Sequence, residues 1–259
     1  MDASAETKTL DPNYGPSSVS LTSFPKMPED YRKTVIRLMS IQAYAEKIAA
    51  VGVPDWARKV PDYKAARTVA KIVADEARHA FLLYTELEAL GVSEKEADGI
   101  AQSTDTGSSS LDGPASLDAP ENGWEDMIMN HMFLDRAGKF MVGNFTQASY
   151  APWAVACEKI LKDEDMHVGF GWTEFRTYVR SGVKSREELT NVVSRWFVAG
   201  LNFFGPPPGK TQQKLAMWGI KRKDNDVLRR EFREEVLGEL ETIGCADLIR
   251  IEHDQYPYR

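Results

Sequence analysis

The sequence predicts an all-α protein built on a four-helix bundle, with further helices towards its C-terminal end. Apolar residues recur at helical spacing through most of the 259 residues, whereas alternating patterns typical of strands are nearly absent. Signals for helix ends are also present. Ser185 with Glu188 has the form of a capping box, and Gly91 stands where a helical pattern ends. We therefore expect helices joined by turns and by one long connection.

Six helices are predicted in chain order. They cover about residues 28–52, 61–92, 124–145, 151–182, 185–204 and 224–244. Residues 1–28 are rich in Ser, Thr, Pro and Asp, and we predict a flexible N-terminal arm there. Residues 29–250 are predicted to form a single domain. The Ser/Gly/Asp-rich stretch 102–123 is interpreted as a crossover connection inside it, because the pattern before this stretch is repeated after it.

Composition excludes several classes of protein. The net charge is −7, so no basic excess favours nucleic-acid binding. The two cysteines, Cys157 and Cys245, are too few for a disulfide scaffold or an iron–sulfur cluster, and we interpret them as reduced thiols of a cytoplasmic protein. No apolar run has the length of a membrane span or the form of a signal peptide, so no membrane association is expected.

Two similar phrases, DEARH at 75–79 and DEDMH at 163–167, use two of the four histidines. Glu and His three residues apart share one face of a helix, and here they interrupt apolar stripes. Upstream carboxylates stand at matched distances, Glu46 30 residues before Glu76 and Asp135 29 residues before Glu164. Two helices with Glu-x-x-His and two with one carboxylate each are the requirement of a two-metal carboxylate bundle. The predicted metal ligands are Glu46, Glu76, His79, Asp135, Glu164 and His167.

The donor types favour two iron ions, with manganese left open, because carboxylate and imidazole ligands with open positions suit these metals. Asp75 and Asp163 each precede a histidine by four residues, and we predict that they accept the histidines' second N–H. Which aspartate serves which histidine stays open. Asp135 has an alternative interpretation, pairing with Arg136 or Arg78, and His131 is expected to be a hydrogen-bonded core histidine rather than a ligand.

Beyond these residues, the segments FLDRAGKFMVGNF, SYAPWA, KILKDEDMHVGFGW and LNFFGPPPGKTQQKLAMWGIKRKDNDVLRREF resemble the catalytic subunits of the bacterial phenylacetyl-CoA epoxidases, over roughly residues 30–245. The resemblance implies a ferritin-like fold and a multicomponent monooxygenase. It also implies a di-iron centre held by the same six residues, with O2 as co-substrate and an epoxide on an aryl-CoA as product. The family contains a non-catalytic scaffold subunit with a degraded ligand set, and the complete set here favours the catalytic role.

Partners follow from what the sequence lacks. Without a dinucleotide fingerprint, and with too few cysteines for an iron–sulfur cluster, the chain is expected to receive electrons from NAD(P)H through a separate reductase. A scaffold subunit of the same fold is the second expected partner. An acyl-CoA substrate needs basic residues for its phosphates, and Lys221, Arg222 and Lys223 are candidates, with a solvated basic face as the alternative.

Other functions remain open from the sequence alone. The same site is compatible with oxidation of a different small substrate in biosynthesis, or with a non-catalytic scaffold role. Ferroxidase activity fits the C-terminal helices less well. A ribonucleotide reductase small subunit would need a redox tyrosine, but Tyr44, two residues from Glu46, is expected on another face.

Overall fold

The chain forms a helical bundle in a computed structural model that describes residues 13–57, 59–103 and 123–251. Nine α-helices occur in these ranges: α1 (Glu29–Ala57), α2 (Tyr63–Ala89), α3 (Glu94–Gln102), α4 (Trp124–Met129), α5 (Asp135–Phe145), α6 (Ala151–Arg180), α7 (Arg186–Phe203), α8 (Lys210–Met217) and α9 (Asn225–Thr242). A π-helical turn, Asn130–Leu134, joins α4 to α5. The described part contains no strand, and the predicted all-α, ferritin-like class is confirmed.

Four elements make the bundle: α1, α2, the α4–π–α5 unit and α6. Helix α1 packs along α2, α2 packs on α6, and α5 packs on α6. Local signals set the helix starts, since Asp62 accepts the Lys64 and Ala65 amide N–H groups at 2.8 and 2.9 Å, and Ser185 with Glu188 forms the predicted capping box. Helices α7 and α9 then cover the π turn and α5.

The core consists of two large apolar clusters with the polar site between them. Along α6 the first cluster reaches Ile160, and the second includes Phe175. Glu164 and His167 lie between these positions, both buried. The interior of the bundle is thus apolar at both ends and acidic in the middle.

Residues 13–27 differ from the predicted flexible arm. Val19 and Phe24 are buried, and the Val19 amide N–H donates to the Ser149 carbonyl at 2.8 Å, while Ala151 donates back to Val19 at 2.9 Å. This segment therefore packs against the start of α6, because two apolar side chains and a backbone pairing hold it without any periodic pattern. Residues 1–12 and most of the predicted connection 102–123 lie outside the described residues.

Two helices were not predicted, α3 and α8, and the predicted third helix contains the π turn. Helix α3 starts with a capping box of Ser93 and Glu96. Among the helices described, none is long and apolar enough to cross a bilayer.

Candidate metal centre

The six predicted ligands come together from four elements. Glu46 lies on α1, Glu76 and His79 on α2, Asp135 at the first position of α5, and Glu164 and His167 on α6. Their donor atoms form two groups, and within each group all atoms lie within 4.8 Å of one another. The first group is Glu46, Glu76, His79 and Glu164; the second is Glu76, Asp135 and His167. Glu76 belongs to both groups.

Both histidines direct Nδ1 into the carboxylates. His79 Nδ1 lies 3.5 Å from Glu46 Oε2 and 3.6 Å from Glu164 Oε1. His167 Nδ1 lies 3.1 Å from Glu76 Oε1 and 3.9 Å from Glu164 Oε2. Neither buried nitrogen has a hydrogen bond, although such atoms are nearly always paired. Two orphaned nitrogens among carboxylate oxygens fit a bound cation.

The opposite nitrogen of each ring contacts an aspartate from the other phrase. His79 Nε2 donates to Asp163 at 3.3 Å, and His167 Nε2 donates to Asp75 at 3.5 Å. A neutral ring that donates from Nε2 keeps its lone pair on Nδ1, towards the carboxylates. Asp75 and Asp163 thus each contact a histidine, and their role beside a bound metal stays a prediction. The crossed pairing follows from the antiparallel approach of α2 and α6.

Arg78 links the two aspartates. Its guanidinium hydrogen bonds Asp163 and reaches Asp75 Oδ1 at 3.5 Å. Lys71 also bonds Asp75. Burial alone would raise the pKa values of Asp75 and Asp163, but these nearby cations outweigh it, and both pKa values lie below their usual range.

The metal-free cluster carries too much negative charge for its surroundings. Burial raises the pKa of Glu46 to about 7, and burial with the charges of Glu46 and Glu76 raises the pKa of Glu164 well above its usual value. Burial alone would lower the pKa of His79, but Glu46 and Glu76 outweigh it and raise that pKa to about 11. The folded chain thus retains protons where a bound cation would supply positive charge.

Asp135 is held by the π turn. Asn130 Nδ2 donates to Asp135 Oδ1 at 3.2 Å, and His131 Nδ1 donates to Oδ2. His131 is buried, as expected of a core histidine. The alternative partner Arg136 instead pairs with Glu235 and Glu239 on α9, each at 2.6 Å.

Gln42 was missed in the sequence. Its Oε1 accepts the Trp153 indole N–H at 2.8 Å, and its Nε2 lies 3.5 Å from Glu46 Oε1. It thereby ties α1 to α6 beside a ligand. The signal was its spacing, one helical turn before Glu46 on the same face.

The candidate phosphate residues have partners within the fold. Lys221 is buried and bonds Asn225. Arg222 donates to the Gln147 and Tyr14 carbonyls at 3.1 and 3.2 Å, and Lys223 contacts Glu231 at 2.7 Å. Lys221 and Arg222 thus have structural roles, which leaves Lys223 as the exposed member of the three. Their contact with phosphate stays a prediction.

An all-α bundle with a buried carboxylate–imidazole cluster defines a ferritin-like protein whose interior is compatible with a metal site. A family model described as phenylacetic acid catabolic protein matches residues 21–247, and the chain belongs to that family. A curated relative, one of the subunits of the 1,2-phenylacetyl-CoA epoxidase of Escherichia coli (strain K12), is 26% identical over 226 residues, 85% of this chain and 70% of the relative. The family expected from the sequence is confirmed.

Proposed function

We propose that this chain is the oxygen-activating, catalytic component of a multicomponent monooxygenase that forms an epoxide on an aromatic acyl-CoA such as phenylacetyl-CoA. The observation that carries the proposal is the pair of ligand groups sharing Glu76, in a chain whose relative is an epoxidase subunit. The complete set of six ligands favours catalysis over a scaffold role. A different small substrate is the second candidate, and the CoA thioester is preferred because the relative's name specifies one.

The metals we propose are two iron ions. Glu46, His79 and Glu164 would hold one ion, Asp135 and His167 the other, with Glu76 between them. When bound, two reduced iron ions would supply the two electrons that, with two protons, let one oxygen atom of O2 enter the substrate and the other leave as water. Two electrons would have to be returned to the site before each further turnover.

The chain's own residues prepare that site. The carboxylates offset the charge of two cations, while the apolar clusters at both ends exclude water. Asp75 and Asp163 fix the rings of His167 and His79 so that Nδ1 faces the metals.

Electrons would come from NAD(P)H through a separate reductase, and a scaffold subunit of the same fold would complete the assembly. The relative is named as one subunit of its epoxidase, which supports an assembly of several chains. Cys157 and Cys245 are both free and buried, which supports the proposed cytoplasmic location.

Metal content tests the site. Chains expressed with iron are compared with a Glu76→Ala/Glu164→Ala double variant and with Glu88→Ala/Glu158→Ala, which removes two exposed carboxylates from the same helices. About two iron atoms per chain are expected in the native protein and the control, and almost none in the site variant. Iron retained by the site variant, or absent from the native chain, would contradict the proposal.

Activity of the assembled complex separates the remaining candidates. With phenylacetyl-CoA, NADPH and the reductase, one epoxide should form per NADPH oxidised, and free phenylacetate should give none. Iron without turnover on any aryl-CoA, in the presence of all partners, would favour the scaffold role.

A further inference from the structure

We propose that Gly171 is a positioning residue for the metal centre. Its missing side chain lets the π-helical turn Asn130–Leu134 lie directly against α6, and this turn holds the carboxylate of Asp135. The inference rests on the proposed metal site, and it assigns to Gly171 and the π turn a role in only one of the two ligand groups.

The contact between Gly171 and the turn leaves no room for a methyl group. A Cβ at Gly171 would lie 2.7 Å from the carbonyl carbon and Cβ of His131 and 2.7 Å from the Met132 amide nitrogen. Backbone atoms cannot rotate away as a side chain does, so the turn would have to move. Glycine inside a helix is less favourable than alanine by about 1 kcal/mol of helix stability. At position 171 the close approach of the turn requires it.

The π turn determines how Asp135 is held. The Asp135 amide N–H donates to the Asn130 carbonyl, five residues back, which defines the wider turn. The side chains of Asn130 and His131 then contact one carboxylate oxygen each, Asn130 at 3.2 Å. Both oxygens of Asp135 are thus fixed by the segment that Gly171 admits.

The two ligand groups depend on this turn to different degrees. Glu46, His79 and Glu164 lie on α1, α2 and α6, and none of them is held by a side chain of the turn, whereas the second group includes Asp135. A displaced turn should therefore weaken one metal position and spare the other. General destabilisation would not make that distinction.

The test is a Co(II) titration of metal-free protein, followed by metal analysis and by the visible absorption of bound Co(II). Gly171→Ala is compared with Gly169→Ala, a matched control because a Cβ at Gly169 meets nothing within 4 Å. We expect about two ions per chain in the native protein and in the control. In Gly171→Ala the second ion should bind about 10- to 100-fold more weakly, with the absorption of the first retained.

Two ions bound by Gly171→Ala with unchanged affinity would overturn the inference while leaving the proposed function intact. A native chain that binds no Co(II) would instead contradict the proposed function, and the inference with it. If circular dichroism shows that Gly171→Ala does not fold, His131→Phe decides, because it keeps a ring but removes the donor to Asp135. The second ion should then be weakened similarly, and unchanged binding overturns the role of the turn.

Discussion

Glu164 is a buried carboxylate among other carboxylates, and its cost to the metal-free protein depends on pH. Its pKa and that of Glu46 are raised above the unfolded value of about 4.5. The folded state therefore binds more protons than the unfolded state above that pH, and stability is lost as pH rises through the folded values. The raised pKa of His79, about 11, acts in the same direction above pH 6.5.

We therefore expect the melting temperature of the metal-free chain to fall between about pH 6 and about pH 8. Glu46→Gln, neutral throughout, should be more stable than the native metal-free chain by on the order of 1 kcal/mol at the upper pH, because the pKa of Glu46 is raised to about 7. Calorimetry after chelation measures this, with Glu158→Gln on the exposed face of α6 as the control. A native melting temperature that rises over this interval would show that other groups dominate.

Lys223 is the residue at which the phosphate prediction is tested without disturbing the fold. Its side chain is 51% exposed, whereas Lys221 and Arg222 have structural contacts. Lys223→Glu should raise the KM for phenylacetyl-CoA roughly two- to fivefold, the effect of one exposed charge pair. Lys95→Glu on α3 is the control. Equal KM values would assign the basic cluster to the fold alone.

The meeting of the six candidate ligands could be predicted because the sequence carries two simple signals. Glu and His three residues apart share a face, and matched spacings bring carboxylates to one height. Which histidine each of Asp75 and Asp163 contacts could not be predicted, because that pairing depends on the register in which α2 and α6 pack. The spacing of Gln42 from Glu46 could have been read, but its contact with Trp153 could not, since the two residues are 111 positions apart in sequence.

At the scale of elements, α9 supports the helix that begins with Asp135. Arg136 is fully buried and pairs with Glu235 and Glu239, whose side chains are 37% and 33% exposed. Without those two glutamates, the charge of Arg136 would be buried between the π turn and α9 without an ion-pair partner.

The double variant Glu235→Gln/Glu239→Gln should lower the free energy of unfolding by about 1–3 kcal/mol, less than a fully buried pair because both glutamates are partly solvated. Urea denaturation measures the loss. Glu234→Gln/Glu241→Gln changes the same charge on exposed positions of α9 and should stay within about 0.5 kcal/mol. Equal effects of the two pairs would contradict a specific role for Arg136.

Long helices were predicted well because each buries a continuous stripe. Helix α3 buries Ala97 and Ala101 and α8 buries Leu215, too few positions to give a readable period. The π turn has no periodic signal either, since it is stabilised by packing against α6. The packing of residues 13–27 was not predicted for the same reason. Their buried residues, Val19 and Phe24, stand singly in the sequence and form no periodic pattern.

At the scale of the whole molecule, the proposed function assigns the supply of electrons to a separate reductase, because the sequence contains no dinucleotide fingerprint. The purified chain with iron, NADPH and phenylacetyl-CoA should therefore form almost no product, and addition of the reductase and the scaffold subunit should give turnover. As a control for an intact site, the protein is reduced chemically and exposed to O2 with phenylacetyl-CoA, and product formation in this single turnover is measured. Sustained NADPH oxidation by the lone chain would contradict this division of labour.

The pairing of residues 13–27 has a consequence for the order of synthesis. Asn13 donates to the Met217 carbonyl at 2.7 Å, and Val19 pairs with Ser149 and Ala151. On the ribosome this segment emerges long before either partner, at about 5–20 residues per second. It therefore waits until α6, and then α8, have been made. The segment accordingly docks late during synthesis, when most of the bundle has already been made.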